Sequence, residues 1–156
     1  MSQKILVPLD GSTLGEAALH HVEEMVSNLA LEGKVEVILF QAITLLTYAV
    51  ATGDEAVEIP YTPNELEQIK VQAMDYLGKA AECLEGKGVT VRCKVAFGTS
   101  SAEEIIKAEA EVEADLVAIS THGRHGITRW AFGSVTDKVL RGSKVPVLIV
   151  RMPNKG

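Results

Sequence analysis

The sequence predicts an α/β fold in which an open five-stranded parallel sheet carries helices on both faces. Short apolar runs alternate with longer segments of helical periodicity, in the order β-α-β-α-β-α-β-α-β. Parallel strands require crossover connections, and helical crossovers cover both faces of such a sheet. Residues 116–119 form an uninterrupted apolar run, which is typical of a central parallel strand. No internal repeat or linker-like stretch is visible, so we expect a single domain over residues 1–156.

The first half of the chain contains two predicted strands, at residues 5–7 and 35–40, which a helix of regular apolar spacing connects. Ser12 or Thr13 is expected to cap that helix at its first turn. Residues 43–62 are partly apolar but are interrupted by glycine and proline. We therefore expect a long loop there, with at most a helical turn, and loops of this length are often functional.

The second half continues the alternation with a helix at residues 63–84 and a strand at 89–96. The apolar residues expected on one side of that helix are Leu66, Ile69, Met74 and Leu77. Ser100 or Ser101, each with a glutamate three residues later, is expected to begin the next helix as a capping box. The remaining predicted elements are that helix to about residue 113, the strand at 116–119, a helix at 134–141 and a strand at 147–150.

Composition and charge exclude several classes of protein. The 156 residues are 47% hydrophobic and 23% charged, which does not fit a disordered tail, a collagen-like fibre or a disulfide scaffold. Cys83 and Cys93 are expected to be reduced thiols. The net charge of −6 argues against nucleic acid or anionic membranes as partners. The N-terminus has no signal-peptide pattern and no run is long enough to span a bilayer, so we expect a cytoplasmic protein.

A glycine-bearing loop follows the fourth predicted strand. It reads Ser-Thr-His-Gly-Arg-His-Gly over residues 120–126, and Gly133-Ser134 opens the last helix. Glycines allow backbone amides to approach a ligand, and a helix N-terminus attracts anions, so the loop has the features of a phosphate site. No acidic residue occurs over 116–136, although the chain has 21. The alternative is that the glycines only form turns and the basic residues are solvated.

Ligands of open α/β sheets bind beyond the carboxyl ends of the strands. Asp10, Ala42 and the loop that starts at Ser120 follow the ends of three predicted strands, so they are the first candidates for a site. For Asp10 the alternative is an acidic residue that only interacts with the N-terminal dipole of the first helix. The dinucleotide motif GxGxxG and the P-loop motif are both absent.

These residues resemble the universal stress protein family, in its small single-domain form. The ATP-binding members of that family carry Gly, two residues, Gly, nine residues, then Gly-Ser or Gly-Thr. Here Gly123, residues 124–132 and Gly133-Ser134 match the motif, and Ser120 stands at the position of the first glycine. Segments 5–12, 134–139 and 145–150 extend the resemblance over nearly the whole chain.

The resemblance implies a Rossmann-like sheet of the adenine nucleotide alpha hydrolase type, with strand order 3-2-1-4-5, that binds an adenine nucleotide. Asp10 would meet ribose or adenine, the Ala42 backbone would meet adenine, and Gly133 with Ser134 would hold ribose and phosphates. The expected ligand is ATP, or AMP or ADP in its place, which Mg²⁺ could accompany. The predicted nucleotide-binding residues are Pro8, Leu9, Asp10, Ala42, Ile119, Ser120, His122, Gly123, Gly126, Gly133, Ser134, Val135 and Thr136.

The leading functional hypothesis is a stress or signalling protein that acts as a nucleotide-dependent switch, with at most slow hydrolysis. No general base or magnesium-binding carboxylate cluster is evident, so no catalytic residue and no protein-bound metal are predicted. An adenylyl-transfer enzyme on the same scaffold is an alternative, but it would need a histidine-rich signature that residues 8–12 lack. The other alternative is the branch of the family that dimerises without nucleotide; Ser120 favours it, whereas Gly123 and Gly133-Ser134 argue against it.

A homodimer is expected through the last strand. Residues 145–150 carry no charge, and in the strand order that the resemblance implies this strand lies at a sheet edge. An apolar edge strand tends to pair with another chain. Two copies could therefore pair this strand with itself in an isologous contact, as in many members of the family. The alternative is a monomer in which residues 151–155 cover the edge.

Overall fold

The computed structural model describes residues 2–12, 15–29, 34–122 and 133–152. Its strands are β1 (Ser2–Pro8), β2 (Lys34–Ile43), β3 (Thr47–Thr52), β4 (Glu55–Pro60), β5 (Val89–Phe97), β6 (Leu116–His122) and β7 (Val147–Met152). Its helices are α1 (Gly15–Leu29), α2 (Pro63–Ala80), α3 (Ser101–Val112) and α4 (Ser134–Gly142), and a 3₁₀ turn at Ala81–Leu84 follows α2.

The central sheet consists of five parallel strands in the order β5-β2-β1-β6-β7. Strand β1 lies between β2 and β6: Ile5 is in register with Val37, and Leu6 with Val117. This confirms the predicted open parallel α/β sheet. The labels differ from the predicted 3-2-1-4-5 because two further strands, β3 and β4, intervene between the second and third strands of this sheet.

The long loop predicted at residues 43–62 is wrong. Strands β3 and β4 form a separate antiparallel hairpin, in which Tyr48 is in register with Ile59 and Val50 with Val57. Gly53 has a φ of +66° and forms the tight turn, so it connects two strands where the prediction treated it as a break. Pro60 ends β4 at its last residue, a position that proline tolerates.

Both faces of the central sheet are apolar and covered by helices. Alternate residues of a strand point to opposite faces. Val7 and Leu39 therefore pack in the core beside α1 and α2, whereas Leu6 and Phe40 pack in the core beside α3 and α4. All four side chains have no exposed surface. A parallel sheet covered on both sides explains why the strands are nearly continuous apolar runs in the sequence.

The predicted helix starts are confirmed where the structure describes them. The Ser100 hydroxyl accepts a hydrogen bond from the Glu103 N–H at 3.3 Å, so Ser100 and not Ser101 caps α3. The predicted capping box is not complete, because the Glu103 side chain forms no return bond to the Ser100 N–H among the described hydrogen bonds. At α1 the Ser12 hydroxyl accepts from the Gly15 N–H at 3.4 Å, and Thr13 lies outside the described residues. The predicted helix at 63–84 ends four residues earlier as an α-helix and finishes as the 3₁₀ turn.

Cys83 and Cys93 are free thiols, as predicted, and burial raises the pKa of each. A raised pKa keeps both thiols protonated and poorly nucleophilic near neutral pH.

Among the described helices, none combines the length and the apolar character that crossing a membrane requires.

Candidate functional site

A cleft of about 340 Å³ opens at the carboxyl edge of the sheet, between α3 and α4. The ends of β1, β2 and β6 form its floor, and the first turns of α1, α3 and α4 surround it. This is where the topology of an open parallel sheet places a ligand site, because the strand order runs to one side of β1 through β2 and β5 and to the other side through β6 and β7.

The cleft brings together residues that lie far apart in the sequence. The predicted site residues that line it are Pro8, Leu9, Asp10, Ala42, Ile119, Ser120, Gly133, Ser134, Val135 and Thr136. Gly123 and Gly126, and the side chain of His122, lie outside the part of the chain that the structure describes. The structure therefore assembles the strand ends and the start of the last helix into one cleft, and leaves the glycine loop between them undescribed.

Four lining residues were not predicted. Gly15 begins α1, Ser101 and Ile105 belong to the first turns of α3, and Thr121 follows Ser120 in β6. The rule that sites form at strand ends also applies to the end of β5 and the start of α3. The glycine motif of residues 120–134 contains no residue of that segment, so Ser101 and Ile105 were not predicted. Ile105 was also recognisable as a buried position of a helix, which does not distinguish core from cleft.

Asp10 is held in place at the mouth of the cleft. Its Oδ1 accepts hydrogen bonds from the Ser12 N–H at 2.9 Å and from the Ser12 hydroxyl at 2.5 Å. Such a turn fixes the carboxylate without burying it, and the side chain is exposed. Gly15 contributes by having no side chain, because a Cβ at that position would lie 3.3 Å from Asp10 Oδ1.

The Ser120 side chain joins the end of β6 to the first turn of α1. Its hydroxyl accepts a hydrogen bond from the Ala18 N–H at 2.8 Å and donates one to the Gly15 carbonyl at 3.1 Å. The hydroxyl is therefore used within the protein, although the residue lines the cleft. This accounts physically for a serine at the position of the motif's first glycine.

We expect Ser120→Ala to lower the free energy of unfolding by about 1–3 kcal/mol, because the N–H of the buried Ala18 would lose its acceptor. Urea denaturation measures the change. Thr99→Ala is the matched control, since Thr99 is exposed and surface substitutions usually stay within about 0.5 kcal/mol. Equal stability of Ser120→Ala and wild type would show that the hydroxyl does not hold α1 to β6.

The N-terminus of α4 forms the opposite wall. Gly133 is its N-cap, with φ −58° and ψ 158°, and no side-chain cap is present among the described residues. The early N–H groups of a helix have no partner within the helix, and the dipole makes that end positive. Ser134 and Val135 are exposed there, while Thr136 is buried. This end of α4 can therefore bind an anion such as a phosphate.

Charge is sparse in the cleft. Asp10 is the one charged side chain among the described lining residues. The described part of the chain also contains no group of three or more His, Cys, Asp or Glu residues that could hold a metal ion. The basic residues Arg124 and Arg129 lie outside the described residues.

Comparisons with known proteins agree with this architecture. The chain matches the model of the universal stress protein family over residues 1–151. It is 29% identical to universal stress protein MJ0531 of Methanocaldococcus jannaschii over 154 residues, covering 98% of this chain and 84% of the relative. It is 31% identical to universal stress protein MJ0577 of the same organism over 165 residues, covering 99% of this chain and 98% of the relative.

Solved structures show the same fold. The structure of MJ0577 superposes with a TM-score of 0.71 and 26% identity, covering 98% of each chain. A universal stress protein in complex with cAMP superposes with a TM-score of 0.61 and 23% identity, covering 96% of each chain. At that level of identity the second likeness shows the fold alone.

Proposed function

Since the chain belongs to the universal stress protein family, we propose that its cleft binds an adenine nucleotide, with ATP as the first choice and AMP or ADP as alternatives. The observation that carries this proposal is the joining of an apolar floor to an uncapped helix N-terminus in one cleft. The cleft volume of about 340 Å³ lies within the usual range of roughly 300–1,000 Å³ for small-molecule sites. A universal stress protein of the same fold is in complex with cAMP, so this fold can hold an adenine nucleotide.

The cleft divides by chemistry into three parts. Ile105 and Ile119 offer apolar surface to a base, and the backbone of Ala42 lies beside them. Asp10 offers a carboxylate oxygen to ribose hydroxyl or amino donors. The first turn of α4, with Ser134, offers N–H groups and a hydroxyl to phosphates. A ligand with a base, a sugar and a phosphate offers a matching group to each of these three parts.

We assign the protein a switching role in the cytoplasm during stress, in which nucleotide occupancy alters its partnerships. A nucleotide would contact β1, β2, β6 and α4 at once, so its presence would stabilise their relative positions. Because Asp10 is already held by Ser12, we propose at most slow hydrolysis and no dedicated catalytic base. If ATP is the ligand, Mg²⁺ would enter with its phosphates.

The division of the cleft predicts different losses for two variants. Asp10→Ala should weaken adenosine, AMP and ATP alike, by about tenfold if one hydrogen bond to the carboxylate is lost. Ser134→Ala should leave adenosine binding unchanged and weaken ATP, because Ser134 lies at the phosphate end. Titration calorimetry with the three ligands measures both. Equal loss of all three ligands in both variants would contradict this division.

The wild-type protein decides between the functional classes. Mass spectrometry of small molecules released from the denatured protein should detect an adenine nucleotide. A protein that carries none, and that binds none in calorimetry, would instead belong to the class that functions without nucleotide. Conversion of ATP to pyrophosphate in the presence of an acceptor would favour adenylyl transfer over the switch.

We also propose a homodimer through β7. This strand pairs with β6 on one side and lies at an edge of the described sheet. Sedimentation at micromolar concentration should show a dimer, and Leu148→Lys should shift it to monomer because a charge would enter an apolar contact. Val71→Lys is the matched control, on the exposed face of α2. A monomeric wild type, or a Leu148→Lys protein that stays dimeric and folded, would remove β7 from the interface.

A further inference from the structure

A second cleft, of about 560 Å³, lies at the same edge of the sheet but on the side of α2. Gln41 reaches it from β2, Tyr76 from α2, and Tyr61 from the base of the hairpin. Gln41 and Ala42 are neighbours in a strand, so their side chains point to opposite faces of the sheet. Asp10 lies where the two clefts meet and lines both.

Two buried polar atoms in this second cleft have no partner. The Gln41 Oε1 and the Tyr76 hydroxyl are inaccessible to solvent, and neither forms a hydrogen bond to any described residue. Buried polar atoms are nearly always paired, and each exception calls for an explanation such as a bound water or ion. Both atoms belong to side chains that line the same cleft, so one ligand could supply both missing partners.

The charges around the second cleft favour a cationic ligand. Asp10 is the charged side chain among its described lining residues, and no Lys, Arg or His lines it there. Residues 35–69, which include the hairpin and all of β2 except Lys34, contain six acidic residues and no basic one. Burial raises the pKa of Tyr76, and the charges of Glu16 and Asp10 raise it further, so the phenol stays neutral and is subject to a negative potential.

We propose that the second cleft binds a small organic cation, namely a primary ammonium group on a short aliphatic body. An ammonium group has three N–H donors, and the oxygen-bearing side chains that line the cleft include the unpartnered Gln41 and Tyr76 and the charged Asp10. The aliphatic body would pack against Ile69 and the ring of Tyr61. Aromatic faces also attract a nearby cation. This proposal does not depend on nucleotide binding in the first cleft.

The test titrates the full-length protein with n-butylammonium chloride and follows the Gln41 side-chain amide by NMR. We expect saturable shifts with this probe and none with 1-butanol, which has the same shape without the charge. Gln41→Leu and Tyr76→Phe should each weaken binding about tenfold, the effect of one lost hydrogen bond to a charged group. Gln41→Leu has no side-chain amide, so the backbone amide of residue 41 is followed in that variant. The matched controls Gln68→Leu and Tyr48→Phe change the same residue types outside the cleft and should bind as the wild type does.

Four results would overturn the proposal. Equal shifts with 1-butanol would indicate a site for neutral donors, and equal shifts with potassium chloride would indicate an inorganic cation. A titration without saturation would mean that water alone fills the cleft. Unchanged binding in both cleft variants would place the ammonium elsewhere. The ATP affinities of the wild type, Gln41→Leu and Tyr76→Phe are measured in parallel, since neither side chain lines the first cleft. If none of these proteins binds ATP, the result contradicts the proposed nucleotide function and leaves the ammonium site unaffected.

Discussion

Gly133→Val is expected to lower the affinity for ATP by more than about a hundredfold and to leave the fold intact. Gly133 lines the first cleft, the proposed nucleotide site, as the N-cap of α4. A Cβ there would meet no atom of the described residues within 4 Å, and φ −58° is accessible to any residue. A branched side chain would thus occupy the space in front of the helix N-terminus. Losing two hydrogen bonds to a charged phosphate accounts for the size of the effect.

Calorimetry with ATP measures this loss, and circular dichroism verifies the fold. Gly78→Ala is the control, because a Cβ at Gly78 also meets no described atom within 4 Å and the residue lies in α2, away from the cleft. That variant should bind ATP normally and gain about 0.5–1 kcal/mol of stability, since glycine disfavours helix. Equal ATP affinity of Gly133→Val and wild type would show that no phosphate lies at the start of α4.

Phe40→Ala is expected to reduce the free energy of unfolding by about 3–5 kcal/mol. Phe40 has no exposed surface and packs in the core beside α3 and α4. Ile105 and Ile119, which line the first cleft, belong to the same cluster of buried side chains, so the cavity would form in the core that supports the cleft. Domains are stable by only about 5–15 kcal/mol, so the variant should lose a large share of its stability.

Urea denaturation tests this expectation against Phe97→Ala. Phe97 is the same residue type at the end of β5, and 37% of its surface is exposed. Truncating it should cost much less, because less apolar surface is removed from the interior. If Phe97→Ala proves as destabilising as Phe40→Ala, then burial in this core does not determine the stability. A second measurement, ATP affinity, should also fall for Phe40→Ala as the floor of the cleft relaxes.

The sequence predicted the parts of the fold that local patterns encode. The parallel strands are apolar runs because both faces of the sheet are covered, and the strand ends identified Asp10 and Ala42 as cleft residues. The hairpin was missed because Gly53 and Pro60 were interpreted as breaks, whereas the first is a turn and the second a strand end. Alternation of β-branched and aromatic residues around a glycine was the signal that could have revealed it.

Other features depend on contacts between distant residues and leave no local pattern. Ser120 holds Ala18 and Gly15, which lie 102 and 105 residues earlier in the chain. Helical spacing also placed Met74 on the buried side of α2, but Met74 is 37% exposed and Tyr76 is half-buried instead. Two residues shift a helical position by about 200°, so small differences in packing decide which side faces the sheet. The second cleft depends on which side of α2 faces the sheet, so it could not be predicted from the sequence.

The two ends of the β3–β4 hairpin lie next to each other, so the hairpin is a site where another polypeptide segment could be inserted. The Tyr61 N–H donates to the Leu46 carbonyl at 3.0 Å, so the segment leaves and re-enters the domain at adjacent points. Almost all residues of β3 and β4 are exposed. Exposed tips whose ends are joined tolerate insertion well. A peptide epitope or a small reporter domain could therefore replace residues 47–60, with β2 and α2 left in position on either side.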